Sequence, residues 1–218
     1  MPEFIQRLAD ATGLSERPYG LAGAVLLVLY VLQAELRFGG KARSHRAAAS
    51  DRGSSLVVSL AAAAPVLGFV IAMRWAPPAV TSQHPLVAWL FGPSLPGLPV
   101  AAWAAAAVGL AGILLRLWAV LTLRHRYTRT LLVHEDHAIE RGGPYRFVRH
   151  PGYLGSLLCL NAIAFMSGAA PVFVASLLAT IPAYVYRVRA EDAMLVAALG
   201  APYESYRREV GALLPFGR

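Results

Sequence analysis

Between His137 and Gly155 the chain reads HAIERGGPYRFVRHPGYLG. Here Arg141, Arg146, Arg149 and His150 alternate with the rings of Tyr145, Phe147 and Tyr153 among four glycines and two prolines. That composition suits neither helix nor strand, because proline fixes φ and removes a donor while glycine permits backbone that other residues avoid. Irregular backbone is expected, with N–H groups and cations able to hold a carboxylate or another polar ligand. In a competing reading the same arginines face lipid headgroups at a membrane edge. Further on, Arg187 and Glu191 stand four residues apart in YRVRAEDAMLVAAL. A helix would carry both on one face, either as part of a site or as a solvated ion pair worth a few tenths of a kcal/mol, on the order of 0.3.

The elements that must position these residues are membrane helices. At 218 residues, 57% hydrophobic and 15% charged, the chain is too apolar for a soluble domain and reads as one integral membrane unit. Five apolar runs are long enough, or nearly so, to cross a bilayer: about Tyr19 to Leu36, Leu56 to Trp75, Pro99 to Leu123, Gly152 to Met166 and Pro171 to Val188. The last two are short and separated only by SGAA, which predicts a tight helical hairpin that does not necessarily span fully. Polar sequence follows, with Gly200 and Pro202 expected to break the helix and a second short helix expected over about Tyr203 to Val210. The fold class is thus all-α: an integral membrane bundle of about five transmembrane helices with a helical hairpin and a cytoplasmic C-terminal helix. Residues 1–98 hold the first two helices and their loops, and 99–218 form the core that bears the site.

Lysines and arginines set the orientation. Arg37, Lys41, Arg43, Arg46 and Arg52 fall between the first and second runs, Arg124 to Arg149 between the third and fourth, and Arg187 to Arg218 from the last residues of the fifth through the tail. The connection 76–98 has none. The positive-inside rule then places the basic segments and the C-terminus in the cytoplasm and the N-terminus outside. The net charge of +8 is spread through these connections rather than along one face, which speaks against nucleic acid. Glu3, Asp10 and Glu16 interrupt the start of the chain, so the first run is expected to remain as a helix rather than be cleaved as a signal. The connection 76–98, with Trp89 and Phe91, reads as an interfacial outer loop.

Other chemistry is weakly supported. Cys159 is the only cysteine and lies in an apolar run, so no intrachain disulfide or cysteine-based metal site is available. The run HEDH at 134–137 lacks regular metal-ligand spacing, and no metal is expected. Arg116, inside the third run, either snorkels or pairs within the bundle, or touches a substrate.

Two motif blocks stand in order: GGPYRFVRHPGYLG, then RAEDAMLVAALGAPYESY with LLPF behind it, and LLRLWAVLTL precedes both. Together they resemble the isoprenylcysteine carboxyl methyltransferase family and its relatives, the phospholipid N-methyltransferases and other small membrane methyltransferases. The similarity runs from roughly Leu114 to Phe216. Asp192 stands where the family usually has a second glutamate, and Leu199 where it usually has phenylalanine. The resemblance implies a helical membrane enzyme with an S-adenosylmethionine pocket at the cytoplasmic face. By motif position it assigns that pocket to His137, Gly143, Tyr145, His150, Pro151, Tyr153, Leu154, Gly155, Glu191, Asp192 and Tyr203. Glu191 suits the cofactor's ammonium, the irregular loop its carboxylate, and Tyr145, Tyr153 and Tyr203 its adenine.

The methyl acceptor would be a lipophilic molecule or lipid reaching the site from the membrane. A carboxylate acceptor needs no general base, since it is already ionised near neutral pH, and Arg149 and Arg187 are the arginines expected to hold it. Arg149 is expected to turn toward the bilayer edge. An amine or thiol acceptor would instead need deprotonation, for which His137, His150 or Glu191 is available. A catalytically silent scaffold that keeps the fold is the alternative outside enzymology.

Overall fold

The computed structural model describes residues 18–35, 53–75, 98–123 and 139–215. Six α-helices occupy them: α1 Pro18–Glu35, α2 Ser54–Trp75, α3 Leu98–Leu123, α4 Pro151–Met166, α5 Ala170–Leu199 and α6 Ala201–Glu209. The five expected spans fall on α1 to α5 with ends displaced by a residue or two, and beyond the fifth span α5 continues as a helix up to the break expected at Gly200. It runs on without interruption to Leu199. The polar continuation RVRAEDAMLVAAL consists mostly of strong helix formers, so nothing ends the helix before Gly200. Gly200 then turns the chain, and α6 begins at once with Pro202 in its first turn, where a missing N–H costs nothing.

Three helices, α2, α3 and α5, are long and apolar enough to cross a membrane, and two shorter apolar helices cover Gly20–Gln33 and Pro151–Met166. Large apolar side chains point outward along them, among them Leu56, Leu60, Trp103 and Leu178, the last 72% exposed. Such a surface is stable only against lipid. Inside, Leu26, Phe69, Ile113, Cys159, Ala162, Ile163 and Met166 form a core drawn from α1, α2, α3 and α4.

The most extensive helix pairing is α3 on α4. It depends on Gly112 and Gly155, which face each other at the crossing. A Cβ at Gly112 would lie 2.6 Å from the Gly155 carbonyl, and one at Gly155 would strike the Gly112 carbonyl and stand 3.0 Å from the Arg116 nitrogen. Small residues at such a seam let backbones approach where lipid offers no hydrophobic drive. Gly155→Ala is therefore expected to push α4 off α3 and cost about 1 to 3 kcal/mol. Thermal denaturation in detergent checks this, and a midpoint equal to wild type would show that the crossing has slack.

The hairpin between α4 and α5 turns through Ser167, Gly168 and Ala169. Asn161 clamps it, donating to the Leu157 carbonyl (2.9 Å) and to Thr180 Oγ1 (3.1 Å) and accepting from Ser176 Oγ (2.8 Å). The other end of the hairpin carries a cluster of polar residues that includes His150, Tyr153, Arg187, Glu191 and Asp192.

Candidate functional site

The loop 139–150 is irregular, as its composition predicts, with one short 3-10 turn over Gly143–Arg146. Gly143 takes φ 51°, and a Cβ there would lie 2.8 Å from Thr122 Oγ1 and 3.1 Å from Trp118 Nε1. Glycine is thus required both by the backbone and by packing on α3. The loop is also strapped by the C-terminal tail. Val148 pairs with Gly211 in a parallel bridge, and the Arg149 and His150 amides donate to the Gly211 and Ala212 carbonyls at 2.8 and 3.0 Å. Tyr206 Oη donates to the Tyr145 carbonyl at 2.5 Å.

Pro151 opens α4 and is fully buried, so the side chains of His150 and Tyr153 leave the helix start toward α5. They meet the acidic pair there, and the two acids do different work. Asp192 is buried and forms a hub: its Oδ2 accepts from Arg149 Nη2 at 2.9 Å, and its Oδ1 accepts from Tyr203 Oη at 2.6 Å and lies 3.0 Å from His150 Nε2. Arg207 Nε approaches to 3.7 Å. An ionised carboxylate only accepts, so the imidazole must carry its proton on Nε2. Burial, and after it the Asp192 charge, hold the Tyr203 hydroxyl well above its usual range, which keeps it a donor. Burial likewise pushes Tyr206 up to about 12.

Glu191 is the more open of the pair, with its side chain 24% exposed. Its Oε2 accepts from Tyr153 Oη at 2.5 Å and lies 3.8 Å from His150 Nδ1. Tyr153 Oη in turn accepts from Arg187 Nε at 2.9 Å, so arginine, tyrosine and glutamate form a relay. The Tyr153 ring stacks on His150 with centroids 5.5 Å apart and meets Tyr184 edge-on at 5.7 Å. Arg187 Nη1 donates to Ser54 Oγ and Ser55 Oγ, both at 2.8 Å, at the start of α2.

Of the residues singled out by the motifs, the structure brings Arg149, His150, Tyr153, Arg187, Glu191, Asp192 and Tyr203 into one continuous network. Gly143, Tyr145, Pro151 and Gly155 are taken up by packing around it, and Leu154 is half-buried in the first turn of α4. His137 and the HEDH run lie outside the described residues, as do residues 36–52 and 124–138 of the basic connections and the outer loop with Trp89 and Phe91.

Two expectations change. Arg149 does not turn to the bilayer edge: its guanidinium lies on Asp192 and on the carbonyls of Arg207 and Val210, where the tail walls it in. The site is not confined to residues 99–218, since α2 contributes Ser54 and Ser55 to Arg187. No spacing rule links residues 133 positions apart; only the SS pair at the head of an apolar run could have hinted at them. Arg116 pairs within the bundle, donating to Ser156 Oγ and standing 5.3 Å from the Tyr30 ring centre.

Residues 105–197, which hold the RHP loop, the hairpin and the acidic pair, match the profile of the isoprenylcysteine carboxyl methyltransferase (ICMT) family. The match covers less than half of the chain. Among curated relatives, the protein-S-isoprenylcysteine O-methyltransferase of Schizosaccharomyces pombe is 32% identical over 85 residues, 38% of this chain and 35% of that protein. A probable protein-S-isoprenylcysteine O-methyltransferase of Oryza sativa subsp. indica is 31% identical over 120 residues, 52% of this chain and 63% of its own length. The chain thus spans between about a third and two thirds of the curated ICMT relatives it matches. The solved structure of a eukaryotic intramembrane Ras methyltransferase, ICMT, aligns with a TM-score of 0.49 at 21% identity, covering 88% of this chain and 74% of that one.

Proposed function

We propose that this protein is an integral membrane methyltransferase that uses S-adenosylmethionine to methylate a lipophilic acceptor, a carboxylate first among them. The single observation that carries the reading is the Arg187–Tyr153–Glu191 relay. It brings a carboxylate and a guanidinium together through one hydroxyl where α5 leaves its apolar stretch, within the segment similar to ICMT. When bound, S-adenosylmethionine supplies an electrophilic methyl group on a sulfonium.

The donor set fits that cofactor. Glu191 is partly open and has one oxygen bonded by Tyr153, a suitable partner for an ammonium. The stacked rings of His150 and Tyr153 offer an apolar and aromatic wall. Asp192, Tyr203 and Arg149 act one layer behind, fixing the His150 ring and the loop. Arg187, which shares Tyr153 with Glu191 and is not tied to the tail as Arg149 is, is the cation assigned here to an acceptor. Catalysis of this type is chiefly positioning: two reactants held in line, with water kept out. A carboxylate acceptor needs no proton removed. An amine or thiol acceptor would need a base, and His150, whose Nδ1 stands beside Glu191 rather than Asp192, is the group available for it.

Titration calorimetry with S-adenosylhomocysteine on detergent-solubilised protein tests the reading. Binding at one site per chain is expected, and its absence in folded protein would favour a silent scaffold. In the same reading the site and the tail face the cytoplasm. With Cys159 replaced by Ala, an impermeant thiol reagent on intact cells is expected to label a cysteine at Ser82, outside the described residues, and not one at Ser205. The reverse pattern would invert the topology.

A further inference from the structure

We infer that Ser54 and Ser55, at the start of α2 and outside the family-matched segment, are positioning residues that seat Arg187 for the acceptor. The inference rests on the methyltransferase reading above and deepens it.

Arg187 is 4% exposed, and a guanidinium so placed keeps one orientation only if fixed acceptors surround it. Tyr153 Oη takes its Nε, and the two serine hydroxyls take Nη1 from the opposite side. Ser54 is fully buried and Ser55 partly so. Both sit in the first turn of a helix whose next residues turn to lipid: Leu56 is 64% exposed and Leu60 65%. On the facing helix Tyr186, next to Arg187, is 40% exposed. The seam between α2 and α5 at Ser54 and Arg187 is therefore where the polar network meets the bilayer. An acceptor carried by lipid reaches a site cation there by the shortest route. The serines touch Arg187 at Nη1 and not Tyr153 or Glu191, so they bear first on the acceptor side of the relay, while the Tyr153–Glu191 contact on the cofactor side keeps its own hydrogen bond.

The test compares wild type with Ser54→Ala/Ser55→Ala and Ser54→Ala/Ser55→Thr. S-adenosylhomocysteine affinity is read by calorimetry. Methyl transfer is read with whichever of a prenylcysteine carboxylate (N-acetyl-S-farnesylcysteine), a fatty acid, phosphatidylethanolamine or a small thiol the wild type methylates. The double alanine variant is expected to lose about tenfold or more in kcat/KM for the acceptor, the scale of a lost hydrogen bond to a charged group. Cofactor affinity should stay within about threefold. The variant carrying Ser55→Thr, which keeps one hydroxyl, should recover most of the loss. Should the double alanine variant fail to fold, Ser55→Ala alone, at the less buried position, carries the same comparison. Unchanged acceptor kinetics, or equal loss of cofactor affinity and turnover without rescue by threonine, would overturn the inference. Failure of the wild type itself to bind S-adenosylhomocysteine or to methylate any acceptor would overturn the methyltransferase reading, and this inference with it.

Discussion

Replacing Glu191 with Gln lowers the affinity for S-adenosylhomocysteine by roughly 10- to 100-fold. The amide keeps the shape and can still accept from Tyr153 Oη, so the fold is little affected. What disappears is the charge offered to the ligand's ammonium in a partly desolvated site. Charge-assisted hydrogen bonds of that kind contribute about 1.5 to 3 kcal/mol, which is the expected factor. Calorimetry on wild type and variant reads it directly. An unchanged dissociation constant would remove Glu191 from the pocket and leave the relay as packing.

Replacing the adjacent Asp192 with Ala does something else: it destabilises the protein by about 3 to 5 kcal/mol, the cost of breaking a buried ion pair by removing one partner. Arg149, with its side chain 7% exposed, would lose its carboxylate, and Tyr203 and His150 would lose a common acceptor. The strap formed by residues 210–212 should loosen with them, because Arg149 also ties the tail through the Val210 and Arg207 carbonyls. Thermal denaturation in detergent, with Glu191→Ala as the neighbouring control, checks the difference. If Asp192→Ala keeps the wild-type midpoint and loses cofactor affinity instead, Asp192 is a ligand, as its motif position implies, and not the hub of the fold.

Much of the bundle was legible because bilayer-spanning runs announce themselves through apolar length, and because Pro, Gly and Arg mark their ends. Helix α5 was legible from a second signal, helix propensity up to the Gly200 break. Apolarity ends near Val188, yet helix propensity does not, and the helix follows propensity to Leu199. The site was legible as a set of residue types in motif order and much less so as geometry. Glu191 and Asp192 are neighbours with the same chemistry, but successive residues on a helix diverge by about 100°. Only the tail and the RHP loop decide that one is sealed and the other open. Arg149 was expected at the bilayer edge since nothing in its neighbourhood of sequence shows residues 207–212 returning to cover it. Ser54 and Ser55 were invisible for a related reason: their partner is brought to them by the packing of α2 on α5 and by no local pattern.

The most direct test is a methyl-transfer assay with S-adenosylmethionine labelled in its methyl group and a prenylcysteine carboxylate as acceptor, in detergent micelles or proteoliposomes. The account predicts label in the lipophilic product as a methyl ester, released as methanol by mild base, with the label lost on Arg187→Ala. Label that resists base would mean transfer to an amine or thiol. No transfer to any carboxylate, amine or thiol acceptor, by folded protein that binds S-adenosylhomocysteine, would contradict it.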